Sequence, residues 1–159
     1  MIRTVYIETT IPSYYHETRR TPSAIAWREA TRRWWDRYRT GYTLVTSKYV
    51  LAELGLAPSV KQAQMLDLIS QVPLVEEPPG LDDVVAYYVE HHLMPVDAQG
   101  DAAHLALASM HAIDFLLTWN CRHLANANKI QHIGVLNGRL GLHVPVITTP
   151  LTLLSEDVP

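Results

Sequence analysis

The sequence predicts an α/β protein, a three-layer sandwich in which helices cover both faces of a central, mostly parallel sheet of about five strands. Short β-branched and aromatic runs alternate with longer stretches of helical periodicity. Parallel strands need crossovers, and this alternation supplies them. The 159 residues, 48% hydrophobic and 18% charged, suit one domain, 1–159, with a real core. Apolar runs fall far short of the roughly 18 residues that cross a bilayer, so no membrane span is expected. Glu8 comes too early for the apolar region of a signal peptide. Cys121 is the one cysteine, which excludes an internal disulfide and a Cys-based zinc site and suits a cytoplasmic protein.

Thr4 to Ile7 reads as a short buried strand ending at Glu8, with Pro12 then suited to the first turn of a helix. Residues 23–39 read as a helix capped by Ser23, with Ile25, Ala26, Ala30, Trp34 and Tyr38 near one face, and Gly41 stops it. Tyr42 to Thr46 is a second strand. Ser47 caps a helix from Lys48 to Leu54, closed by Gly55. Ser59 and Gln62 fit a capping box for a helix to about Gln71. Val72 to Val75 reads as a strand, and Pro78-Pro79-Gly80 as a turn. Leu81, Val84, Val85 and Tyr88 recur at helical spacing up to about His92. Pro95 to Gly100 is a loop. Asp101 to His111 is a helix of small apolar residues that must lie close against a neighbour. Phe115 to Trp119 and Val144 to Thr148 are strands, with a poorer helix over about 122–140 between them.

The net charge of −3 hides an asymmetry. Residues 1–48 carry nine basic and four acidic side chains, a local +5, and the remainder carries −8. The split argues against a uniformly basic nucleic-acid-binding domain; on charge alone it reads as a solvated basic helix face plus ordinary acidic surface, and a basic surface beside an acidic site can also steer a polyanion.

Open parallel sheets form sites beyond the carboxyl ends of their strands. Glu8 follows the first strand, Asn120 follows Leu116-Leu117-Thr118-Trp119, and Asp101 opens a helix after a turn. Taken singly, Asp101 reads as an N-cap and Asn120 as a turn residue. Glu53 is a lone acid in the apolar Val50-Leu51-Ala52-Glu53-Leu54, which is costly if buried. A shared divalent cation accounts for the set, since carboxylate oxygens suit Mg²⁺ or Mn²⁺.

Four segments in order carry a family resemblance across about residues 2–152. They are Tyr6-Ile7-Glu8-Thr9-Thr10-Ile11-Pro12, Thr46 to Leu54 with Glu53, Gly100 to Ala108 opening on Asp101, and Leu116 to Leu124 with Asn120. Together they resemble the motifs of PIN-domain proteins, and most closely the VapC-like toxins of toxin–antitoxin pairs. The resemblance implies a metal-dependent endoribonuclease that cleaves single-stranded or exposed RNA with metal-activated water. Glu8, Glu53 and Asp101 then hold Mg²⁺ or Mn²⁺, with Asn120 as a further catalytic position at the rim. Thr10 and Thr118 match hydroxyl positions that orient the carboxylates. A homodimer and an antitoxin partner are also implied.

The chain departs from the pattern twice, since the first acid is usually Asp and the fourth motif often carries Asp where Asn120 stands. These departures supply the alternative, in which the site is impaired and the fold is an RNA- or protein-binding module. Arg122 and His123 are weaker candidates for a phosphate contact. His104 and His111, seven apart, lack the i, i+4 spacing of a helical zinc site and read as packing residues. Trp27, Trp34, Trp35 and Tyr38 read as a core or oligomer face rather than a base-stacking platform.

Overall fold

The computed structural model describes residues 1–154; the last five residues of the expected 1–159 domain lie outside the described residues. Strands β1 (Thr4–Ile7), β2 (Thr43–Val45), β3 (Phe115–Leu117) and β4 (Val146–Thr148) form one parallel sheet in the order β2-β1-β3-β4. Tyr6 pairs with Val45 on one side and Leu116 on the other. Side chains alternate between the faces of a strand, yet Val5, Tyr6 and Ile7 are all fully buried. Both faces at the sheet's centre are therefore covered.

Among the described residues the sheet has four strands rather than about five. The segment expected as a strand over Val72 to Val75 contributes one bridge, Thr46 to Leu74. Pro73 has no N–H to extend a ladder. The contact is limited to Thr46 N–H donating to Pro73 O and Val75 N–H donating to Thr46 O, each at 2.9 Å. The last strand starts at Val146, after Pro145, rather than at Val144.

The helices are α1 (Thr10–Tyr15), α2 (Pro22–Arg33), α3 (Lys48–Leu54), α4 (Ser59–Ile69), α5 (Leu81–Glu90), α6 (Gln99–Met110) and α7 (Ile130–Leu140). Thr21, not Ser23, caps α2, its hydroxyl accepting from Ala24 N–H at 3.3 Å. Pro22 then takes the first helical position, where a missing N–H matters least. The expected helix to residue 39 gives way to a π-helical turn, Trp34–Tyr38. That turn buries both Trp34 and Trp35, and Trp34 Nε1–H donates to Leu153 O at 2.6 Å. The capping box at Ser59 does not form. Pro58 occupies the cap position, and Gln62 donates instead to Gly55 O. The expected loop to Gly100 winds into a 3₁₀ turn, Val96–Ala98, and α6.

Helix α6 is the internal helix, with eight consecutive residues, Ala102 to Ser109, buried. Its small side chains allow close approach, and a polar network ties down its far end. There Tyr88 O–H donates to Asn137 Oδ1 at 2.6 Å, and Asn137 Nδ2–H donates to Ser109 Oγ at 2.9 Å, joining α5, α6 and α7. No helix among the described residues is long and apolar enough to cross a membrane.

Candidate metal centre

Glu8 continues the sheet pairing of β1, its N–H donating to Leu117 O at 3.2 Å. The side chain is 2% exposed. One carboxylate oxygen, Oε2, accepts from Thr10 N–H at 3.0 Å, Thr10 Oγ1–H at 2.5 Å and Thr118 Oγ1–H at 2.8 Å. Each hydroxyl is itself held from β3's end. Trp119 N–H donates to Thr10 Oγ1 at 2.8 Å, and Asn120 N–H donates to Thr118 Oγ1 at 2.9 Å. The carboxylate is thus fixed by the carboxyl ends of two neighbouring strands, and Oε1 takes part in none of these bonds. Burial pushes the Glu8 carboxyl above its ordinary range, against the pull of His104 and the Thr10 and Thr118 hydrogen bonds.

Glu53 reaches the same place from α3. Ser47 sets the start of that helix, its hydroxyl accepting from Val50 N–H at 3.4 Å. The Glu53 side chain is 37% exposed, and Oε1 meets Nε2 of the fully buried His104. Glu8, Glu53 and His104 present potential ligand atoms that all lie within 4.8 Å of one another. Gly100 lies alongside, and a Cβ there would stand 3.4 Å from Glu53 Oε1.

Asp101 stands in the first turn of α6, but Ala98 is the cap residue and no side chain caps the helix. The expectation of an N-cap is therefore corrected. Burial pushes the Asp101 carboxyl up, and Glu53's charge adds to the rise; His104, His123 and an Asn120 hydrogen bond oppose it. Asn120 divides its functions. Its Oδ1 accepts from His123 N–H at 3.0 Å and holds the turn after β3, so the amide hydrogens are what it has left to offer Asp101. Arg122 is exposed and His123 half-buried. Lys129 Nζ donates to His123 O at 3.2 Å, and burial lowers its amine against the attraction of Asp101.

The imidazole of His104 is penalised by burial, but the Glu53 hydrogen bond and the charges of Glu8, Glu53 and Asp101 prevail and raise its pKa. His104, expected as a packing residue, is packed and is also bonded into the acid cluster. The available signal was its place one turn after Asp101, on the same helix face. Lys129 and Tyr6 carried no such signal. Of the tryptophans, Trp34 and Trp35 are core, and Trp27 stacks on Trp119 at 4.6 Å and 9°.

No protein-family model matches the chain, and no curated protein sequence matches it. Among solved structures, the chain is similar to VapBC2 from Rickettsia felis bound to a DNA fragment from their promoter, with 12% identity, 92% of this chain and 98% of that chain covered, and a TM-score of 0.48.

The donor set fits a hard divalent cation. Glu8 Oε1 lies outside the bonds that fix Oε2, Glu53 has a second oxygen beyond the one that meets His104, and Asp101, outside the group that lies within 4.8 Å, is a third carboxylate on α6 that feels the charge of Glu53. Oxygen donors of this kind suit Mg²⁺ or Mn²⁺.

Proposed function

We propose that the protein is a metal-dependent endoribonuclease, the toxin of a toxin–antitoxin pair, acting on single-stranded or exposed RNA. The observation that carries this reading is the approach of Glu8 and Glu53, two carboxylates from different elements, beside the carboxyl ends of β1 and β3. Bringing two carboxylates so close, one of them buried, is unfavourable unless protons or a cation offset their charges, and one divalent cation offsets both at once. Glu8 and Glu53 would hold the cation, with Asp101 as the third carboxylate. When bound, a divalent cation acidifies water and offsets charge building on a phosphodiester.

The chain's own residues supply order. Thr10 and Thr118 fix one oxygen of Glu8 and leave the other to the site. Asn120 steadies Asp101 through its amide, and Lys129 adds a positive charge beside Asp101. In the net reaction water's oxygen bonds to phosphorus, one P–O ester bond breaks, and the departing oxygen takes a proton. The four acidic-motif segments support an antitoxin partner and a homodimer by resemblance. A catalytically impaired binding module is the second reading, and the engagement of Asn120 Oδ1 by His123 favours it, because one of that oxygen's two lone pairs is already committed to the turn.

The test is cleavage of an unstructured RNA with Mn²⁺ and with chelator, for the wild type and for Glu53→Gln. The proposal expects cleavage that needs Mn²⁺ and is lost in the variant. Binding of RNA with no cleavage in Mn²⁺ supports the second reading instead.

A further inference from the structure

His104 has no exposed surface, and both of its ring nitrogens are engaged. Nδ1 lies 2.7 Å from the Tyr6 hydroxyl, and Nε2 meets Glu53 Oε1. The Tyr6 hydroxyl is in turn 2.6 Å from Ser47 Oγ. Ser47 caps the helix that carries Glu53 in its last turn. The path Ser47–Tyr6–His104–Glu53 therefore starts and ends on α3 and passes through β1 and α6.

The partners assign the hydrogens for a neutral ring. An ionised carboxylate only accepts, so Nε2 donates to Glu53. Nδ1 then accepts from Tyr6 O–H, and Tyr6 Oη accepts from Ser47 O–H. Every donor and acceptor on the path then has a partner, with Tyr6 Oη donating to Nδ1 and accepting from Ser47. An imidazole that ligates a metal needs a ring nitrogen with a free lone pair. Here Nε2 carries its hydrogen toward a carboxylate, and Nδ1 faces Tyr6. Glu53, by contrast, is the most exposed member of the cluster, on a long side chain with many rotamers.

We propose that His104 is the positioning residue of Glu53: Tyr6 and Ser47 hold its ring, and Nε2–H holds the carboxylate facing Glu8. The cation affinity of the site then depends on a buried side chain that does not touch the cation. This rests on reading Glu8 and Glu53 as cation-holding carboxylates.

Two measurements separate the proposal from that reading. In metal-free protein, ¹H–¹⁵N NMR of the imidazole should show an exchange-protected proton on Nε2, and Tyr6→Phe should shift the Nδ1 resonance. An Nε2 without a protected proton overturns the positioning role whatever the metal does. A protected proton in a protein that binds no Mn²⁺ supports the positioning of Glu53 and overturns the metal reading alone. With Mn²⁺, calorimetry should show His104→Leu weakening binding by about 10–100-fold, the range for residues that orient a ligand. His104→Gln, whose amide can donate where Nε2 did, should recover most of that loss. Spin-echo modulation of bound Mn²⁺ should show no directly coordinated ¹⁴N. Coordinated ¹⁴N, or unchanged or tighter Mn²⁺ binding in a folded His104→Leu, overturns the proposal. Because His104→Leu changes a core position, Tyr6→Phe serves as the milder variant, with a smaller loss of Mn²⁺ affinity expected and an unchanged affinity counting against the path.

Discussion

Glu8 is one methylene longer than the aspartate of the motif it resembles, and its surroundings show how the extra length is held. Three hydrogen bonds converge on Oε2, two of them from threonine hydroxyls that are themselves anchored by Trp119 and Asn120 backbone N–H groups. A shorter side chain at position 8 would have to abandon these donors or pull the backbone after it. Under the proposed function, Glu8→Gln should abolish Mn²⁺-dependent RNA cleavage. Glu8→Asp should retain at most part of it, since a displacement of about 1 Å can lower a rate on the order of a hundredfold. Cleavage that increases in Glu8→Asp, measured beside the wild type on the same RNA, would instead mark Glu8 as a sign of lost activity. Glu8, Thr10 and Thr118 were legible because each sits within three residues of a strand end, and strand ends can be read from short apolar runs. The bond between His104 and Glu53 was not, because the partners are 51 positions apart. Local spacing compares His104 with His111, which instead meets Glu76 O at the surface.

Elements were legible where composition alone decides them, and least so where one backbone group does. The β1 strand, the Ser47 cap and the buried small-residue helix α6 follow from runs of residue type. The missing fifth strand turns on the single absent N–H of Pro73, and the end of α2 on a π turn that lets two adjacent tryptophans share the interior. The C-terminus of α6 offers a test at this scale. Ile113 N–H closes back on Ala108 O at 2.9 Å, and Ala112 N–H on Ser109 O at 3.2 Å, which places Ala112 in the left-handed region at φ 52°. A Cβ there is strained, and glycine is the residue that adopts this conformation freely. Ala112→Gly should therefore stabilise the fold by about 1 kcal/mol, or raise Tm by roughly 2–4 °C for a chain of this size. The expected sign reverses at Gly141, where φ is 68° and an alanine should destabilise. Thermal melts of both variants check the pair, and a lower Tm for Ala112→Gly would show that unfolded-state entropy outweighs the relief of strain.

For the whole molecule, opposite ends of the pH scale are governed by different groups. Glu17 has its carboxyl held at about 2, against an ordinary 4.5, chiefly by the Arg19 side chain, which donates at 2.8 Å. A depressed acid contributes stability above its unfolded value and loses it as pH falls, so this contribution fades between about 4.5 and 2. The acidic cluster around His104 acts in the other direction. Glu8 and Asp101 are raised acids and His104 a raised base. Each such group contributes stability that is present below its unfolded value and is lost as pH rises through its folded one. The metal-free protein should accordingly lose Tm as pH rises from about 4.5 through the neutral range. A divalent cation binds the ionised carboxylates, so its stabilisation should grow over the same interval. At 100 times its Kd, such a ligand contributes about 2.7 kcal/mol, or roughly 5–10 °C at this chain length. Glu8→Gln removes one of the charges that must be buried. It should flatten the alkaline loss, raise the metal-free Tm near pH 8, and shrink the shift produced by Mn²⁺. Differential scanning calorimetry at several pH values, with Mn²⁺ or with chelator, reads all three effects. A metal-free Tm that stays constant from pH 5 to pH 8 would mean that these carboxylates and His104 do not repay their burial through protonation, and the buried charges would then need another partner.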